Sequence, residues 1–161
     1  MKPTLCAAVL AMISGQAHAL SCIRPDPIET YKRVAAAPES YFVLYGELVF
    51  DESLLPLGTR NISDPLPAPI AAEFNGTGLT RQGFTSTYVS PVTLEIRCVA
   101  NWCGSASSGG NALYFVEASE PPVTMVAEAC SSMIFPEPSQ AVLDMLTSCM
   151  QGGACSAQPL Q

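Results

Sequence analysis

Histidine is nearly missing from this chain: there is one, His18. It lies in a segment that the sequence marks for removal. Met1–Ala19 carries Lys2, an apolar run from Leu5 to Ile13, and then Ala17-His18-Ala19. That is the pattern of a secretory signal peptide with a small-x-small cleavage site. Residues 20–161 then form one domain with no histidine, which excludes Ser-His-Asp and Cys-His nucleophiles and any His-ligated zinc. Positive charge is scarce as well. Seven Lys and Arg face fourteen Asp and Glu, for a net charge of −7, and beyond the leader Lys32 is the only lysine. Such a surface repels phosphate backbones and anionic lipid, so no nucleic-acid partner is expected. Beyond the leader no apolar run approaches the roughly 20 residues of a membrane-spanning helix. The expected location is periplasmic or secreted, with neither metal nor cofactor.

Two details of the N-terminus matter. Ala19-Leu20-Ser21 also satisfies small-x-small, so a cut after Ser21 would make Cys22 the first residue; the cut after Ala19 is the favoured one. Leu20-Ser21-Cys22 is a weak match to a lipoprotein signal, because Ala19 occupies the place of an aliphatic residue.

What the chain has is β structure and cysteine. Asp26-Pro27-Ile28-Glu29 reads as a helix start, with Asp26 as cap, Pro27 in the first position and Glu29 reaching back to the cap. Tyr41–Phe50 (YFVLYGELVF) is the strongest strand, and Gly46 within it suggests a bulge or sharp bend. Residues 51–69 hold four prolines and read as an irregular excursion. Strands are expected at Ile70–Phe74, from Phe84 to Val99 with a break at Pro91, at Ala112–Ala118 and at Val123–Ala129. Asn101–Asn111 is a Gly/Ser-rich loop, and the last two strands are joined by a turn at Glu120-Pro121-Pro122. Ser139 caps a last helix whose inner face is Val142, Leu143, Leu146 and Cys149. A short helix, about five strands and a helix suggest a small closed five-stranded barrel of OB-like type, with a sandwich as the alternative.

Six cysteines beyond the leader, in an exported chain, point to disulfides. Proximity favours Cys98 with Cys103 and Cys149 with Cys155, leaving Cys22 for Cys130. Zinc is the competing reading, and it lacks both a CxxC pair and a His partner.

These features together resemble the netrin-like modules, the group that includes the tissue inhibitors of metalloproteinases. The matching stretches are Ser21-Cys22-Ile23-Arg24-Pro25, "YGELVF" at Tyr45–Phe50, Cys103-Gly104, "LYFVEA" at Leu113–Ala118, Glu128-Ala129-Cys130 and a terminal helix with cysteines. The resemblance implies an OB-type five-stranded barrel with flanking helices. The inhibitors begin with Cys-x-Cys and bind a protease zinc through the first residue. This chain has one cysteine there, so protease inhibition is not carried over.

Candidate chemistry is thin. Asp51-Glu52 and Glu117…Glu120 could serve a carboxylate-dependent hydrolase, but at strand ends beside turns they read as solvated. Gly104–Gly109 (GSASSG) is no nucleophile elbow and reads as a mobile loop. Asn61-Ile62-Ser63 and Asn75-Gly76-Thr77 fit a glycosylation pattern, but the bacterial style of the leader makes them ordinary loop residues. Asn101 and Trp102, the sole tryptophan, sit in a loop that a Cys98–Cys103 disulfide would brace. They are either a recognition anchor or a small core packed on that disulfide. The expectation is a non-catalytic binding domain whose partner is another protein or an envelope component. A carboxylate-dependent periplasmic hydrolase, a structural subunit of an envelope assembly and a metalloprotease inhibitor are the alternatives.

Overall fold

The structure, a computed structural model, describes Cys22 and residues 25–56 and 61–156. The expected signal peptide, Met1–Ala19, and both candidate cleavage points lie outside the described residues. Helix α1 (Pro27–Ala35) is followed by β1 (Tyr41–Phe50), β2 (Ile70–Thr80) and β3 (Gly83–Ile96). A short hairpin follows, β4 (Cys98–Val99) and β5 (Trp102–Cys103). Strands β6 (Asn111–Glu117), β7 (Thr124–Ala127) and β8 (Ile134–Pro136) precede helix α2 (Gln140–Met150).

The expected start of α1 holds. Asp26 Oδ1 accepts from the Ile28 and Glu29 amides at 2.8 and 3.0 Å. Glu29 pairs with Lys32 at 2.8 Å instead of reaching back to the cap. The inner face is Ile28, Thr30 and Val34. Thr30 is the polar member, and its hydroxyl donates to the Ser132 carbonyl at 3.1 Å, which satisfies it.

The main sheet has the order β7-β3-β2-β1-β6-β8, with β7 parallel to β3 and the other pairs antiparallel. One face curls on itself. Leu44, Leu48 and Phe50 of β1 meet Ile70, Ala72 and Phe74 of β2, Val92, Leu94 and Ile96 of β3, and Tyr114 and Val116 of β6. The opposite face carries Val43, Leu113 and Phe115, and is covered by α1 and α2 through Ile28, Val34, Leu143 and Leu146. Strand β6 is therefore buried on both faces from Ala112 to Val116.

The expected closed five-stranded barrel is not what forms. The sheet is a curled half-barrel of six strands. The cause is β8, which the sequence reading missed. Closure would require β6 to hydrogen-bond β7, but the outer edge of β6 pairs with β8, Leu113 opposite Phe135 and Tyr114 opposite Ile134. Strands β6 and β7 approach within 8 Å without forming a ladder, so the Glu120-Pro121-Pro122 turn leads across the curl and joins no hairpin. A two-sheet sandwich is absent for the same reason: the second sheet among the described residues is only the β4–β5 hairpin.

Two local expectations also change. Register is continuous through Gly46 on both sides of β1, and the irregularity falls between Gly78 and Leu79 on β2. Pro91 does not break β3, which pairs with β2 straight through it. The β7 partner of β3 begins only at Thr93, so the outer edge at Pro91 needs no amide donor.

The three disulfides are the expected ones: Cys98–Cys103 and Cys149–Cys155 by proximity, and Cys22–Cys130 as the remaining pair. The first ties the segment before α1 to the chain just after β7, across 108 positions of sequence. Among the described residues no helix is long and apolar enough to cross a membrane.

Candidate functional site

The segment from Cys98 to Gly110 builds two adjoining surfaces. Its first part is the β4–β5 hairpin, where Cys98 and Cys103 are cross-strand partners joined by their disulfide and Val99 pairs with Trp102. Ala100 turns the hairpin with φ +55°, a conformation uncommon for a residue with a side chain. Trp102 and Val99 are each 54% exposed, and Asn101 between them is exposed as well. The indole therefore does not form a small core. A buried glycine, Gly104, then brings the chain against β7, so close that a Cβ there would run into the Ala127 carbonyl. The amide of Gly104 donates to the Arg97 carbonyl at 2.9 Å, which closes the hairpin's base.

The second part is the Gly/Ser stretch, and it is docked. Ser108 Oγ accepts from the Phe50 amide at 3.0 Å, and the Ser108 amide donates to Glu52 Oε1 at 2.7 Å. The Gly109 amide donates to the Leu48 carbonyl at 3.0 Å. These bonds continue the edge of β1 beyond the end of β6, and they replace the mobile loop expected from composition.

The same bonds give one carboxylate pair its role. Glu52 holds the docked loop, while Asp51 accepts from the Ser53 amide at 3.0 Å and the Ser53 hydroxyl at 2.7 Å. Those two hydrogen bonds hold the Asp51 carboxyl below its ordinary range. Glu117 and Glu120 are exposed at the far end of β6. Asn75, expected in a loop, lies within β2.

Between the docked segment and the β6–β8 edge opens a cleft of about 340 Å³. Ser105 and Ser107 form one wall, Ala112 and Tyr114 line it from β6, Ile134 from β8, and Ser131 and Glu137 from either side of β8. Glu137 is the only carboxylate among its lining residues. Among the described residues no three His, Cys, Asp or Glu side chains gather in a way that could hold a metal ion.

The structure places Asn101 and Trp102 exposed on the hairpin that the expected Cys98–Cys103 disulfide closes, while the cleft was not foreseen from sequence. Its walls come from three separated stretches, and no local pattern joins them. Compared with known proteins, the chain matches no family model, no curated protein and no solved structure.

Proposed function

We propose that this chain is an exported, disulfide-stapled binding domain without catalytic chemistry, and that it contacts its partner, another protein or an envelope component, through the Trp102 hairpin. The observation that carries this reading is the half-exposed indole on a two-stranded hairpin closed by a disulfide. A large rigid aromatic held in place before binding loses little freedom on contact, and such residues dominate interface energetics. Three disulfides support an oxidising compartment. The order β7-β3-β2-β1-β6, with β7 parallel to β3, is the connectivity of an OB-type barrel opened at one seam. That connectivity supports the OB-like, netrin-like reading.

Because Trp102 is the sole tryptophan, fluorotryptophan labelling places a single fluorine resonance at the proposed contact. Titration with fractions of the cell envelope should shift or broaden that resonance saturably with one fraction. A resonance unchanged through every fraction overturns the proposal.

A further inference from the structure

The side chain of Tyr114 is 1% exposed, and its hydroxyl has no hydrogen-bond partner among the described residues. A buried phenol ordinarily finds one, because burying an unpaired hydroxyl is costly. Tyr114 also lines the cleft between the docked Ser/Gly segment and β8. An unpartnered donor on a buried residue that lines a cleft large enough for a small molecule is the arrangement of a binding site awaiting its ligand's acceptor atom.

We propose that this cleft binds a small uncharged molecule that presents an acceptor oxygen to the Tyr114 hydroxyl and an apolar face to Ala106, Ala112 and Ile134. The volume of about 340 Å³ falls at the small end of ligand sites. The lining is chemically split. Alanine, isoleucine and proline side chains supply the apolar part, while the hydroxyls of Ser105, Ser107 and Ser131 offer both donors and acceptors. Glu137, the one charged lining residue, disfavours an anion and accepts from a ligand N–H or O–H. A neutral amide satisfies both ends, with its carbonyl on the phenol and its N–H toward Glu137 or a serine. Burial and the charge of Glu47 push the Tyr114 pKa up to about 12, so the phenol remains a protonated donor at neutral pH.

Backbone geometry at the cleft agrees with a built site. Three non-glycine residues among those described have left-handed backbone: Ala100, Ser131 and Glu137. Two of them, Ser131 and Glu137, line this cleft and bracket β8. Backbone held in such conformations concentrates at functional sites.

The probe is 2-pyrrolidone, a neutral cyclic amide, followed by amide chemical shifts in the full exported chain, with acetate as the anionic comparison. The expected result is a saturable perturbation confined to residues 105–107, 111–114 and 131–137, with none from acetate. Tyr114→Phe, which keeps the ring, should weaken binding roughly fivefold, the worth of one neutral hydrogen bond. Ser107→Phe, a change at an exposed wall position, should abolish binding by filling the cleft. Trp102→Ala should leave pyrrolidone binding intact, so failure here is distinct from failure of the hairpin proposal. No perturbation at saturating pyrrolidone, perturbation scattered over the surface, or undiminished binding by Tyr114→Phe would each overturn the site.

Discussion

Phe74 on β2 and Tyr114 on β6 meet edge to face across the intervening strand β1, with ring centroids 5.4 Å apart. Their register partners on β1 are Leu48 and Leu44, and between those two lies Gly46. Gly46 faces Gly76 across the β1–β2 ladder, and a Cβ on Gly46 would stand 2.5 Å from the Gly76 Cα. Gly46 leaves the inner face of β1 without a side chain between Leu44 and Leu48, and the rings of Phe74 and Tyr114 meet beside it.

Gly46→Ala should therefore destabilise the fold by at least about 3 kcal/mol, the upper range for overpacking, because the obstruction is backbone and cannot rotate away. Urea unfolding measures it. A loss below about 1 kcal/mol would show that β1 and β2 can separate at little cost.

The three disulfides should contribute unequally. The Cys22–Cys130 bridge closes a loop of 108 positions, so replacing both cysteines by serine should cost about 4–5 kcal/mol in the chain-entropy account. The same double replacement at Cys98 and Cys103, separated by 5, should cost about 2 kcal/mol. Equal losses in equilibrium unfolding would contradict this ordering.

Stability should be flat through neutral pH and fall at alkaline pH. The Tyr114 phenol ionises at about 12 in the folded protein against an ordinary 10.0, because of burial first and the Glu47 charge second. Below pH 10 both states keep the proton. Between 10 and 12 the unfolded chain releases it while the folded protein retains it, so folding loses stability across that window. Tyr31, also raised by burial, acts in the same direction. Tyr114→Phe should flatten the slope without lowering stability at neutral pH, since it removes a hydroxyl that has no partner. An unchanged slope would place Tyr114 in a more polar environment than the fold gives it.

Trp102→Ala should leave unfolding free energy within about 0.5 kcal/mol, as expected for a surface side chain. A loss of 2 kcal/mol or more would make the indole part of a core, against its 54% exposure.

Much of the fold was written locally. The ends of β1 followed from a run of aromatic and branched residues, and the strand expected from Phe84 covers nearly all of β3. Two disulfides followed from spacing, and Cys22–Cys130 as the pair left over. What escaped was the strand pairing and loop docking set by distant residues. Strand β8 is three residues long and ends in a proline, too short to carry a period, yet it takes the edge of β6 and keeps the barrel open. The Ser/Gly stretch looked mobile because its restraints, Phe50 and Glu52, lie 58 and 56 positions away from Ser108. Tyr114 read as an ordinary strand residue, since nothing in a sequence reports that a hydroxyl lacks a partner.

The central claim is that the Trp102 hairpin is the contact surface, and photo-crosslinking in the intact source cell tests it most directly. A photoreactive residue at position 102 should give one discrete adduct, while the same residue at Val89, which is 64% exposed on β3, should give none. Equal adducts from the two positions, or none from 102, would contradict the account.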